Sequence, residues 1–318
     1  MPLPPGAPTD ELVAGIERWV TADPFRDLVR AFGGRLPAGD PATLLGWLDE
    51  FSATHWDFRH GRERPEAREP SLDPTTARLV IDAARSLGMV TALPPPRRAY
   101  RHLLVLGGLA HACLQRTDYA AHLLDTGAVR ATEVAVLGSF RPLTADERDV
   151  LAGLGLDACD TEVAALDAGV RRAFGVRRPE DETGRTDANP HCSWSVRTYR
   201  PEGGPVVRVL AAPSSDPGVR RAHTADTQHF WAQQVRLSPD DRVLMVTAPI
   251  YVPFQHCDAI RTLAVPYGCG IDTIGVDPDR THPGLPEPVL TSGRYLQEIR
   301  SAIRSMRHLH AALPGARD

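Results

Sequence analysis

In the stretch Leu103-Leu104-Val105-Leu106-Gly107-Gly108 a continuous apolar run ends in two glycines, and a helical pattern follows through Leu124. An apolar run without alternation reads as a strand buried on both faces, as in a parallel sheet. Two glycines then permit a tight turn into a helix, and such a turn lets backbone N–H groups approach an anion. The same rhythm continues downstream. Strands are expected at 102–106, 133–137, 206–211, 242–247 and 271–276, and helices at 111–126, 160–174, 224–235, 256–263 and 293–312. That order predicts an α/β fold, a Rossmann-like doubly wound, mostly parallel sheet whose ligands sit beyond the carboxyl ends of the strands. The polar, acidic segment 179–190 reads as an exposed loop. The alternating segment 192–200 reads as an edge strand hairpinned through Glu202-Gly203-Gly204.

The first hundred residues carry a different pattern. Apolar residues fall at helical spacing in 10–22, 24–32, 42–51 and 74–87, with Thr9 or Asp10, Asp40 and Asp73 as N-caps and Gly88 as a C-cap. A charged, proline-punctuated loop is expected at 60–70, and Pro94-Pro95-Pro96-Arg97-Arg98 is a stiff linker. The expected division is a smaller all-helical domain at 1–97 and a Rossmann-like domain at 98–318. Trp47, Phe51, Trp56 and Phe58 are expected to pack the helices together, with a lid over the crevice as the alternative.

Composition removes several functional classes. The 318 residues have a net charge of -4, so there is no basic footprint for nucleic acid. All 36 basic residues are arginine, which rules out Schiff-base or P-loop lysine chemistry and fits a GC-rich coding sequence. The five cysteines include no C-x-x-C pair and the histidines no H-E-x-x-H, so neither a disulfide framework nor a metal site is expected. No basic n-region with an apolar h-region and no bilayer-length apolar run is present. A cytoplasmic protein without membrane partners, free to form a homo-oligomer, is the expectation.

Candidate chemistry lies after the strands. Gly107 and Gly108 are placed to expose N–H groups to a phosphate, carboxylate or ribose, although a G-x-G-x-x-G fingerprint is absent. Ser214 and Ser215, with Arg220, Arg221 and Thr224, form the densest polar stretch after an expected strand. Asp226, in the first turn of the next helix, is a candidate general base or ribose acceptor, or simply favourable beside a Thr224 cap. Glu162 at another helix start presents the same choice, and convergence of the two carboxyls would make an acid/base pair. Thr247, Tyr251 and His256 follow the fourth expected strand, and His256 is the histidine best suited to proton transfer.

These turns together resemble a known family. Val105-Leu106-Gly107-Gly108 with Arg116, Ala120 and Leu123 looks like the opening of the YdcF-like (ElyC/SanA-related) family. Val136-Leu137-Gly138-Ser139, Thr161-Glu162-Val163, Ala212-Pro213-Ser214-Ser215 with His223 to Thr227, and Val246 to Tyr251 resemble its later segments, over roughly residues 101–280. Phe140, His223, Thr227 and Val252 depart from its pattern. The resemblance implies a small-ligand crevice in a Rossmann-like sheet and S-adenosylmethionine as a candidate cofactor. The expected function is then an enzyme that binds a nucleotide-like or otherwise anionic small molecule and catalyses group transfer, with specialised metabolism as the setting. Gly107, Gly108, Ser139, Ser214, Ser215 and Thr224 would cradle the ligand, with Thr247 and Tyr251 nearby; Arg116, Arg141 and Arg221 would meet its charge; Glu162, Asp226 or His256 would move protons. A phosphoester hydrolase and a non-enzymatic metabolite-sensing or partner-binding protein are the alternatives.

Overall fold

The computed structural model describes residues 4–58, 71–156, 158–281, 284–285 and 289–314; the loop expected at 60–70 lies outside the described residues. The chain forms an α/β Rossmann-like fold, a helical N-terminal region followed by a seven-stranded, mostly parallel sheet with flanking helices. Its residues divide into two compact units: Met1–Gly6, Ala92–Ala248 and Thr262–Glu287 in one, and Ala7–Thr91, Pro249–Arg261 and Pro288–Asp318 in the other.

The sheet unit holds β1 (Ala99–Leu106), β2 (Arg130–Gly138), β3 (Asp181–Arg185), β4 (Trp194–Tyr199), β5 (Val206–Ala211), β6 (Arg242–Thr247) and β7 (Gly270–Gly275). Their order is β3-β4-β5-β2-β1-β6-β7. β5, β2, β1, β6 and β7 run parallel, while β4 pairs antiparallel with both β5 and β3. The helices of this unit are α5 (Ala110–Asp125), α6 (Ala145–Ala152), α7 (Glu162–Ala173) and α8 (Thr224–Val235). Leu103, Val105, Val134, Val136, Val209, Leu244 and Val246 join Leu114, Leu123, Leu166 and Val170 in one buried apolar cluster, which is why the central strands read as unbroken hydrophobic runs.

Two expectations are corrected by the sheet's antiparallel edge. The segment expected to be a loop at 179–190 contains β3, and β4 is therefore an inner strand with a partner on each side. All five residues of β3 are exposed, so it carries no apolar alternation for a sequence reading to find. Helix α6 was also not expected from its composition, although Thr144 and Glu147 form a capping box at its start.

One buried polar group near the amino ends of the strands stabilises three of them. The His102 ring on β1 lies 3.5 Å from Glu133 of β2 and 3.5 Å from Asp241 ahead of β6, with Trp231 edge-on to it at 5.1 Å. Glu133 also accepts a 2.7 Å hydrogen bond from Arg208 of β5. The His102 ring beside it and the Arg208 charge overcome burial and hold the Glu133 carboxyl at a pKa of about 2. A carboxyl depressed in the folded state stabilises above its unfolded value of about 4.3 and loses that contribution as pH falls toward 2. Glu133→Gln should therefore flatten the acid limb of stability between roughly pH 4 and pH 2, read from urea denaturation at a series of pH values. An unchanged limb would remove Glu133 from acid unfolding.

The helical unit is built from α1 (Thr9–Val20), α2 (Asp23–Ala31), α3 (Pro41–His55), α4 (Pro74–Ser86), α9 (Val252–Ala259) and α11 (Ser292–Ala312). A short α10 (Val265–Tyr267), which belongs to the sheet unit, follows a π-helical turn, Ile260–Ala264. The Asp40 side chain accepts from the Thr43 N–H and Asp73 from Thr75 and Thr76, capping α3 and α4. Pro8 stands at the α1 N-cap position without a side-chain cap. Trp56, fully buried, takes Phe25 and Phe51 edge-on at 6.2 and 5.4 Å, so these rings serve as helix-packing core. Arg300 and Arg307 of α11 both reach Asp49 of α3. The C-terminal helix thus belongs with helices encoded more than two hundred residues earlier.

Candidate functional site

Beyond the carboxyl ends of β1, β2 and β5 the sheet unit gathers four arginines, three acids and a row of hydroxyls. The turn after β1 begins with Gly107, whose N–H donates to Leu137 O at 2.8 Å. A Cβ on Gly107 would lie 2.6 Å from Glu162 Oε1 and 2.8 Å from Leu137 O, so glycine is required by close approach rather than by an unusual φ. Arg116, buried on the first turns of α5, donates back to the carbonyls of Leu106 and Gly107 and pins the strand end.

The start of α5 already carries an anion supplied by the chain. Leu109 at the N-cap provides no side-chain bond; instead the Ala110 N–H donates to Glu147 Oε1 at 2.9 Å. Arg141 clamps both Glu147 oxygens at 2.8 Å and donates to Gly108 O at 2.8 Å, while the Thr144 N–H donates to Oε2 at 3.0 Å. Burial works to raise the Glu147 pKa, but these donors hold it down to about 2. Glu147 is thus a fixed carboxylate on the helix dipole. Arg141 is among the arginines expected at the site, whereas Glu147 is not, and the Thr144-to-Glu147 capping box is the signal that marks its place.

Glu162 stands on the other side of the same glycine turn in the opposite electrostatic condition. It is the first residue of α7, whose N-cap Thr161 accepts from the Ala164 N–H. Oε2 accepts from the Ser139 N–H at 3.1 Å and the Ser139 hydroxyl at 2.7 Å, and the hydroxyl in turn accepts from the Arg141 N–H at 3.3 Å. Burial drives the Glu162 pKa upward, and the Arg141 charge, Ser139 and the Arg221 charge only partly oppose it. Two carboxyls flanking one turn are therefore pushed apart in acidity.

A second cluster forms where β5 meets α8. Asp226 accepts from Arg220 Nη1 at 2.6 Å, the His223 N–H at 2.9 Å and the Ser215 N–H at 3.2 Å. Burial opposes but does not prevent the result: Arg220, His223 and Ser215 hold its pKa far below the ordinary carboxylate range. Arg220 also donates to the Ser214 and Ser215 hydroxyls. The N-cap of α8 is His223 rather than Thr224, with Asp226 completing a reciprocal capping box. Arg221 is exposed beside this network.

Thr247 ends β6 fully buried, its hydroxyl without a hydrogen-bond partner among the described residues. Tyr251 and His256 belong to the helical unit: Tyr251 accepts from Arg294 at 2.8 Å, and His256, on α9, is buried so deeply that its pKa falls well below the ordinary histidine value. Glu162 and Asp226 instead belong to the sheet unit. Among the described residues no three His, Cys, Asp or Glu side chains converge as metal ligands, and no helix is long and apolar enough to cross a membrane.

Comparison with known proteins corrects the resemblance drawn from the turns. The Rv3785 N-terminal domain family matches residues 4–88. The uncharacterized proteins Rv3785 of Mycobacterium tuberculosis H37Rv and Mb3814 of Mycobacterium bovis are each 32% identical over 334 residues, spanning 96% of this chain and 92% of the relative. No solved structure matches the chain. The YdcF-like resemblance is overturned: its motifs are short glycine, serine and threonine turns at strand ends, which tight connections in any parallel sheet favour. The expectation of S-adenosylmethionine rested on that resemblance and loses its ground with it. By identity sustained over nearly its whole length, this chain belongs to the Rv3785 family.

Proposed function

We propose that the sheet unit is an enzyme that binds an anionic, nucleotide-like small molecule beyond the ends of β1, β2 and β5 and catalyses group transfer with Glu162 as the proton-transfer residue. The observation that carries this reading is the divergence of two carboxyls around one glycine turn, Glu147 held at about 2 and Glu162 raised by burial. Environments that separate the acidities of neighbouring carboxyls are the usual way a fold obtains a proton donor beside a permanently charged group. Here Arg141 is positioned by Glu147, Ser139 orients Glu162, and the exposed Arg221 is placed to draw in the anion. A proton on Glu162 would pass to the leaving oxygen of the transferred group. Asp226, ionised and fully engaged, acts as a positioning residue for Arg220 and the serine loop.

A thermal-shift screen of the full chain against nucleotides, sugar nucleotides, phosphorylated sugars and S-adenosylmethionine tests the binding step. A ligand at 100 times its dissociation constant adds about 2.7 kcal/mol, which should raise the midpoint by several degrees. The expected result is a selective shift with one anionic class that Arg221→Glu abolishes. No shift with any class would overturn the reading and favour a partner-binding protein.

A further inference from the structure

On the sheet unit, away from the glycine turn, a cavity of about 680 Å³ opens against α7. Its size falls within the range of about 300–1,000 Å³ typical of small-molecule sites. Leu156, Ala158, Ala164 and Ala168 give it an apolar lining, and Arg171, Arg172 and Arg197 bring three guanidiniums to it. Ala164, Ala168 and Arg171 follow at i, i+4 and i+7 along α7, so small residues and a cation share one helix face. Ala164 and Ala168 are only partly buried, as residues that border an opening should be.

The arginines are held in place by carboxylates, one of which, Asp167, also lines the cavity. Asp167, buried on α7, lies 2.6 Å from Arg171 and 3.3 Å from Arg197 of β4, and accepts a 2.5 Å hydrogen bond from the fully buried Tyr199 hydroxyl. Glu182 holds Arg197 on its outer side at 2.8 Å, and Asp118 holds Arg172 at 2.8 Å. A surface arginine ordinarily loses much side-chain entropy when it binds a ligand. Two guanidiniums locked by one buried carboxylate have already met that cost, and each guanidinium carries five donors, more than its ion pairs employ.

We propose that this cavity is a second ligand site, accepting an organic anion with an apolar body: Arg171 and Arg197 meet the anionic head, and the alanine-lined wall receives the hydrocarbon. The site is separate from the glycine turn and independent of the reaction proposed there. The probe is 8-anilinonaphthalene-1-sulfonate, whose fluorescence rises when its sulfonate is paired and its rings leave water. Titration into the full chain should give saturable enhancement with a single site. Ala168→Trp fills the cavity without removing a charge, and Arg171→Gln removes one guanidinium from a half-exposed position. Each should weaken the probe by at least about tenfold, the loss expected of a charge-assisted hydrogen bond or of excluded ring contact, with far-UV circular dichroism unchanged. Saturable binding that both folded variants retain, or no saturable binding to the wild type, would overturn the proposal and leave the Asp167 network as a brace between α7 and β4.

Discussion

Glu162→Gln is expected to lower turnover of the ligand class found by thermal shift by about 10²- to 10⁴-fold, the usual range for loss of general acid–base catalysis. The fold should survive, and the variant should be at least as stable as the wild type near neutral pH. The sign follows from linkage. Glu162 has its folded pKa raised by burial, so the folded state holds the proton more tightly than the unfolded chain does, and stability declines as pH rises through that interval. A neutral amide removes the cost of burying an ionised carboxylate, and its carbonyl oxygen can still accept from the Ser139 N–H and hydroxyl that now bond Oε2. A less active, equally or more stable protein is the signature of a functional group placed against its own comfort. Lost stability with retained turnover would make Glu162 a structural cap. Steady-state kinetics and chemical denaturation on the same preparation separate the two.

Asp226→Ala should do the reverse, lowering stability by about 2–3 kcal/mol. Breaking a fully buried ion pair costs about 3–5 kcal/mol, and Arg220, about one-third exposed, regains part of its hydration when Asp226 is gone. Loss of the bonds to the His223 and Ser215 N–H groups adds the removal of a helix cap. Because the Asp226 pKa is depressed in the folded state, its contribution is present above the ordinary carboxylate range and fades on acidification. The difference between wild type and variant should accordingly be largest near pH 7 and shrink below about pH 4. A stability difference that does not vary with pH would show that the carboxylate's charge is not what holds the loop.

The strands were legible where burial forced continuous apolar runs. β5 and β6 fall on the expected residues because their Val, Leu and Met runs end in turn residues that admit one reading, and α8 also falls on its expected residues. β3 escaped because Asp181 to Arg185 faces solvent throughout, and an edge strand needs backbone pairing but no apolar side chains. The allegiance of α9 and α11 was also hidden. Their periodicity reveals an apolar face without naming what covers it, and Asp49 meets Arg300 only after the chain has folded.

The site was half legible for a related reason. Glu162 and Ser139 stand beside strand ends, where position alone makes a polar residue conspicuous. Glu147 lies within a short polar helix, and its meaning comes from Ala110 thirty-seven residues earlier. His256 shows what burial adds to a sequence reading. Its sequence distance from β6 suits a strand-end residue, but the chain enters α9 in the helical unit and buries the ring.

Everything proposed for the glycine turn rests on Glu162 being a buried, proton-holding carboxyl at a ligand site. Its direct test is a ¹³C-carboxyl titration by NMR, with Glu162→Gln supplying the assignment, in the absence and presence of the ligand class that shifts the melting point. The expected result is a midpoint above the unperturbed value of about 4.3, moved further upward by a bound anion. A midpoint at or below that value, indifferent to ligand, would contradict it.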